Sequence, residues 1–318
     1  MSLSRPLVEV VRSGFAESVH RGSLVALNAA GAVALRVGDP DRVILPRSTN
    51  KPLQAAGMLE AGLALEGELL ALAAASHSGE PHHLAGVERI LLAAALPASA
   101  LGCPPDLPAD PTERERWLRA GRAPEPLAMN CSGKHAAMLA TCVVRGWPPA
   151  TYRDPEHPLQ MFLRARVEEL AGERVGVLAV DGCGAPVFGL SLTGLARAIQ
   201  ALVTGEDTSG RAVADAMRAH PDYVGGTGRD VTRLMRGVPG LLAKDGAEGV
   251  YVAAAADGTT VAVKVEDGSS RAAVPALVAA LHALGMSAPV LDELAESPVL
   301  GGGRPVGVVR AIPGLFGP

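Results

Sequence analysis

Between Leu7 and Val37 the apolar residues fall into short β-type runs, Leu7–Val11, Ser23–Asn28 and Ala32–Val37, and the last two are separated by Ala-Ala-Gly, the spacing of a hairpin. From Lys51 onward the period becomes helical, across Pro52–Leu63, Leu69–Ala75 and Leu84–Ala95, then Lys134–Arg145, Pro158–Ala171, Leu190–Thr204 and Gly210–His220. After Gly240 the strand signal returns in Val250–Ala255 and Thr260–Val265, joined across Ala-Asp-Gly, followed by a helix over Arg271–Leu284 and a last strand at Val306–Arg310. Strands at both ends with helices between predict an α/β (α+β) fold. One antiparallel sheet is expected from approximately 1–50 and 241–318, packed against helices, with a mainly helical region over approximately 51–240. The whole span 1–318 is expected to be a single catalytic domain; no internal repeat is present, and the proline-rich stretches 104–111 and 123–126 read as loops.

Composition narrows the class of partner. With 48% hydrophobic residues in 318, the chain has ample material for a core. Its net charge of −4, with no basic run, lacks the electrostatic footprint of a nucleic-acid binder, so a small-molecule partner is expected. No signal-type apolar segment opens the chain and no window reaches the roughly 18 unbroken apolar residues of a membrane span. A cytoplasmic location is therefore expected, with no membrane partner. Four cysteines, Cys103, Cys131, Cys142 and Cys183, do not make a disulfide framework in a chain this long, and reduced thiols suit that compartment.

Of 29 basic residues only four are lysines: Lys51, Lys134, Lys244 and Lys264. A lysine kept against an arginine background is a candidate for work a guanidinium cannot do, such as losing its proton near neutral pH or donating a lone pair. In R-S-T-N-K-P, residues 47–52, Ser48 precedes Lys51 by three positions at a helix start, so both lie on one face. A neutral lysine there can take the proton of a serine nucleophile; the plainer reading is a helix cap beside a solvated lysine. In A-S-H-S-G-E, Ser76, His77 and Ser78 sit where a helical run stops, either as turn residues or pointing into a cleft. Lys244, Asp245 and Gly246 precede a predicted strand, and the glycine leaves room for a substrate backbone to approach. In chain order these three stretches loosely repeat the Ser-x-x-Lys, Ser-Asp-Asn, Lys-Thr-Gly set of serine β-lactamases and penicillin-binding proteins.

N-C-S-G-K-H places Cys131, Lys134 and His135 at a helix start, and D-G-C-G-A-P places Cys183 in a glycine-rich turn. Two thiolates and a nitrogen suit Zn²⁺; buried inert cysteine is the alternative. Gly133-Lys134 does not make a phosphate-binding loop, because His135 follows instead of Ser or Thr. Arg229, behind Gly225-Gly226-Thr227-Gly228, is either a bidentate holder of a substrate carboxylate or a surface arginine on a turn.

With these motifs together, the chain resembles the class 3 (Rhizobium etli type) L-asparaginases, the "asparaginase II" family, over nearly its whole length. The matched stretches are R-S-x-x-K-P (47–52), A-S-H-S-x-E (75–80), N-C-S-G-K-H (130–135), D-G-C-x-x-P (181–186), the Gly-x-Gly-Arg turn (226–229) and K-x-G-A (244–247). The resemblance implies hydrolysis of L-asparagine to L-aspartate and ammonia on a β-lactamase/penicillin-binding-like fold, usually in a homodimer. It further implies two Ser-Lys pairs, Ser48 with Lys51 and Ser76 with Lys244, and zinc held by Cys131, Lys134 and Cys183. Arg47, His135 and Asp181, with Arg229, stand beside these motifs as substrate-positioning candidates. Lys264 has no assigned role beyond support of the sheet edge. Asp245 stands where the β-lactamase motif has threonine, which favours a small amide over a penicillin. Glutaminase action remains an alternative, since one methylene in a pocket discriminates by only about 1–3 kcal/mol. Other rivals are a β-lactamase-like amidase and a non-catalytic zinc-binding protein.

Overall fold

The apolar run at Leu7 forms β1 (Arg5–Arg12), which turns back through Ser13 and Gly14 into β2 (Phe15–Leu27). β2 is a strand of two halves: up to Gly22 it pairs with β1, and from Gly22 to Leu27 it lies between β3 (Val33–Val37) and β9 (Thr260–Val265). Its start, Phe15–Val19, is solvent-exposed. It carries no burial alternation, which is why the sequence pattern starts this strand only at Ser23.

The computed structural model describes residues 4–316; residues 1–3 and 317–318 of the expected single domain lie outside them. After β4 (Val43–Ile44) a single 3₁₀ turn over Arg47–Asn50 leads into α1 (Lys51–Glu60), followed by α2 (Gly67–Ala73), α3 (Pro81–Ala93), α4 (Pro111–Arg119), α5 (Ser132–Arg145) and α6 (Pro158–Ala171). A hairpin of β5 (Val177–Val180) and β6 (Pro186–Ser191) precedes α7 (Leu192–Thr204), α8 (Thr208–Ala219), the short α9 (Pro221–Val224) and α10 (Asp230–Gly237). The chain then returns to the sheet through β7 (Leu242–Gly246), β8 (Val250–Ala254) and β9, and closes with α11 (Ser270–Ala283), α12 (Pro289–Leu294), β10 (Glu296–Gly301) and β11 (Arg304–Ala311).

The main sheet runs β10-β11-β1-β2-β9-β8-β7, with β3 also paired to β2, and every pairing is antiparallel. Both ends of the chain therefore build one sheet, and the segment between them is mainly helical, as the hydrophobic pattern predicts. α7 packs against β2, β8 and β9 while α11 packs against β8, β9 and β11, so helices cover the sheet. α1 is buried from Lys51 through Met58 on nearly every side, as a helix surrounded by other helices must be.

Several elements differ from the expectation for identifiable reasons. The helix expected from Leu190 begins at Leu192, because β6 runs to Ser191, whose hydroxyl accepts from the Gly194 amide and caps α7. β6 is buried throughout, and such a continuous apolar run reads equally as strand or helix. α4 begins where the expected loop 104–111 ends and fills a segment for which no helix is expected. Asp110 caps it and only Trp117 is buried, so it has almost no apolar stripe to announce it. β7 is itself a strand, so Lys244 sits within one and not ahead of one.

Candidate active site

Arg47 holds a left-handed backbone, φ 53°, at the entry to the turn that carries Ser48. Such a conformation is disfavoured for a side chain with a Cβ, and the surroundings must hold it in place. They do so through β7: a Cβ added at Gly246 would stand 3.0 Å from the Pro46 carbonyl oxygen and 3.0 Å from Thr49 Cγ2. Gly246 thus makes room for the chain's own turn, not for a substrate backbone, and brings Ser48 against the strand that carries Lys244.

Lys51, at the first position of α1, is almost wholly buried, as is Lys244. An ammonium in such a place needs acceptors for its protons. Lys51 Nζ donates to the Ala75 carbonyl at 2.6 Å, to Ser76 Oγ at 3.0 Å and to Cys131 Sγ at 3.0 Å. Lys244 Nζ donates to Ser76 Oγ at 3.1 Å, to Asp245 Oδ1 at 2.6 Å and to the Asp245 carbonyl at 2.8 Å. Ser76 is therefore the serine on which both amines converge. The direct contact expected between Ser48 and Lys51 is absent: all the donors of Lys51 point elsewhere, and Ser48 Oγ, half-buried, has no hydrogen-bond partner among the described residues.

Burial pulls Lys244 down to about 8, with the Lys51 charge acting in the same direction and Asp245 against it. Burial acts to raise Asp245, but Lys244 and Arg229 outweigh it and hold the carboxyl at about 2. Asp245 is thus a fixed anion between two cations, with Arg229 Nη2 at 2.7 Å from its second oxygen. The threonine-to-aspartate departure noted in the sequence is the device that keeps Lys244 from falling further.

The segment bearing Ser76 is held by its neighbours. The Gly79 amide donates to His77 Nδ1 at 3.1 Å, which leaves Nε2 as the donor to Ser132 Oγ at 2.8 Å. Burial keeps His77 well below its ordinary range, so it is a neutral structural link between this segment and α5. Ser78 Oγ donates to the Gly225 carbonyl at 2.8 Å, and the Glu80 carboxylate accepts from the Thr227 amide at 2.7 Å and hydroxyl at 2.8 Å. The glycine-rich loop is thereby tied to the Ser76 segment.

On the other side of Lys51 lies a thiol cluster. Lys134 Nζ donates to Cys183 Sγ at 3.2 Å. Burial would lower Lys134, but the neighbouring Cys183 and Cys131 sulfurs raise it. Hydrogen bonding with Cys131 draws Cys183 well below the ordinary thiol range, against burial, and Lys134 and His135 add to the effect; Cys131 is pushed up in return. Among the described residues no three of His, Cys, Asp and Glu converge as a metal site, so a metal here would need the Lys134 amine as its third donor. Two close sulfurs, an adjoining amine and the buried His135 Nε2, which lacks a hydrogen-bond partner, make a donor set that fits Zn²⁺.

Of the expected substrate-positioning residues, Arg47, Asp181 and His135 stand around the Cys183 loop and Arg229 stands apart. Arg47 Nε is 2.7 Å from Asp181 Oδ1, a pair that joins the Ser48 turn to the loop carrying Cys183. It also borders a cleft of about 320 Å³ lined by Arg42, Asp39, Glu248 and Lys264. His135 is wholly enclosed, its Nδ1 2.5 Å from the Tyr152 hydroxyl, and stands with the thiols and not at a surface a solute touches. Arg229 is separated from the serines by Asp245 and lines a different cavity, so a direct grip on a substrate at Ser48 does not follow from its position. Lys264 donates to the carbonyls of Glu248 and Val265; it stands on β9, which pairs with β2 on one side and β8 on the other, and so not at the expected sheet edge. Tyr152 was not singled out by sequence, because a lone tyrosine in a loop carries no pattern; Asp245 was legible only as a departure from a motif.

The profile of the family described as L-asparaginase II matches residues 8–311. Similar solved structures include Mglu in its native form, 17% identical at a TM-score of 0.45, with 84% of this chain and 65% of that chain covered. A β-lactamase from Mycobacterium bovis is 15% identical at a TM-score of 0.48, with 83% of this chain and 94% of that chain covered. The chain thus spans less than two thirds of the length of Mglu. No curated protein matches the chain.

Proposed function

The chain belongs to the L-asparaginase II family, and on that premise we propose that it hydrolyses L-asparagine to L-aspartate and ammonia through a serine nucleophile activated by lysine. The observation that carries this reading is the bridge Lys51–Ser76–Lys244, in which one of two buried amines titrates at about 8. Two ammonium groups on one hydroxyl disfavour each other, so the pair gives up its first proton close to neutrality. Because Ser76 touches both, a proton shifting along its hydroxyl exchanges which amine is neutral.

Ser48 is the attacking residue in this scheme: its hydroxyl is uncommitted and half-exposed, whereas Ser76 is buried and held by both amines. Catalytic hydrogen bonds tighten when substrate fills a site, and Ser48 lies one helical turn before Lys51. Ser48 gives its proton to neutral Lys51 and attacks the side-chain amide carbon. Ser76, hydrogen-bonded to Lys51, passes a proton to the departing ammonia, and water then cleaves the β-aspartyl ester. The Arg47–Asp181 pair fixes the Ser48 turn against the Cys183 loop. Cys131, Cys183 and Lys134 would hold zinc, which would supply a Lewis acid beside Lys51, whose amine contacts Cys131 Sγ. Ammonia release from L-asparagine, beside L-glutamine, simple amides and a penicillin, tests the substrate. Asparagine as the preferred substrate supports the proposal; turnover of another amide in its place sinks it.

A further inference from the structure

Asp245 and Tyr251 are paired across β7 and β8, and both line a cavity of about 180 Å³ closed by Val274 of α11. Lys244, the preceding residue, points to Ser76, so the cavity lies on the α11 side of the sheet, away from the serines. Arg229 and Asp230 border it at the start of α10, and Ser270 borders it at the start of α11. It is larger than a water site and smaller than a drug-sized pocket, the scale of a single small metabolite.

Its chemistry is mixed. The Tyr251 hydroxyl is buried and has no hydrogen-bond partner, and the side chain is 4% exposed. Leaving such a group unsatisfied costs about 1–3 kcal/mol, so a partner is expected. α11 has no side-chain cap bond and no acidic residue in its first turn; Asp267 accepts from the Ser269 amide just before it, and the first-turn amides begin at Ser270, which borders the cavity at the positive end of the dipole. The Arg229 guanidinium lies on the same wall, paired with Asp245 at 2.7 Å. Asp230, also on the lining, has no ion-pair partner among the described residues, whereas both Asp245 oxygens are taken, one by Lys244 and one by Arg229.

Arg229 and Asp245 already offset each other at 2.7 Å, so an anion alone would face the Asp230 carboxylate and a cation alone would face a helix N-terminus. A solute that carries both charges a few ångströms apart meets neither penalty. We infer that this cavity binds a small neutral α-amino acid, its carboxylate at the α11 N-terminus and the Tyr251 hydroxyl, its ammonium at Asp230. A ligand there touches Asp245, the carboxylate that also holds Lys244. The inference rests on the cavity and not on asparagine hydrolysis.

The chain has three tyrosines, so fluorotyrosine-labelled protein gives a simple fluorine NMR spectrum in which Tyr251→Phe identifies one resonance. L-serine serves as the probe, with propionate and ethylamine as single-charge controls. The expected result is a saturable shift of the Tyr251 resonance with L-serine in the millimolar range, at least tenfold weaker with either control. Ser270→Asp puts a carboxylate in the first turn of α11, where it favours the helix dipole, and places a negative charge where the ligand carboxylate sits. In that variant the L-serine shift should disappear while the Tyr152 and Tyr223 resonances stay in place. An unmoved Tyr251 resonance, equal response to propionate, or a shift that survives Ser270→Asp would each overturn the assignment.

Discussion

Ser76 accepts from two amines that cannot both remain charged at little cost, and the pH dependence of the reaction should report it. If the singly protonated pair is the competent form, kcat/KM rises as pH increases through about 8, where Lys244 loses its proton. Asp245 opposes that loss, so Asp245→Asn should lower the Lys244 pKa further and move the rise to lower pH. A pH–rate profile of the two proteins checks both the position and the direction, and a shift to higher pH contradicts the account. The scarcity of lysine made these groups legible: three of four fall at the site, each buried. What the sequence could not reveal was the pairing. Ser48 and Lys51 are spaced for contact along a helix, but the amine turns to Ser76, a residue brought close only by the packing of the α2 terminus on α1 and α5.

At the level of elements, the site depends on two close backbone approaches. A Cβ at Gly133 would lie 2.4 Å from the Leu72 carbonyl oxygen, so Gly133→Ala must push α5 away from α2 and carry Cys131 and Lys134 with it. A loss of about 1–3 kcal/mol is expected, visible as a lower Tm, together with weaker metal retention. Gly246→Ala meets Pro46 and Thr49 instead and should lower activity by displacing the Ser48 turn. Intact stability with full activity in both variants would show that these contacts do not position the site. Helices with an apolar stripe and the hairpin of β8 and β9 were readable from pattern alone. β5, β6 and β10 were not: β5 and most of β10 are too exposed to alternate, and β6 is too buried.

For the whole molecule, strands from both ends enclosing helices were legible because the period changes twice along the chain, at Lys51 and after Gly240. Among the described residues no helix is long and apolar enough to cross a membrane. The homodimer implied by the family stands as a proposal, and sedimentation should give roughly twice the 32.4 kDa chain mass, with the single chain mass as the contrary result. Elemental analysis of the purified protein should find one zinc per chain, lost when Cys131 and Cys183 are both replaced by serine. The central claim is that Ser48 carries the acyl group. Protein quenched during turnover of L-asparagine and digested for mass spectrometry should show one β-aspartyl ester on the peptide containing Ser48, absent from Ser48→Ala along with ammonia release, a loss of roughly a thousandfold or more. An ester on Ser76, or undiminished turnover in Ser48→Ala, would contradict it.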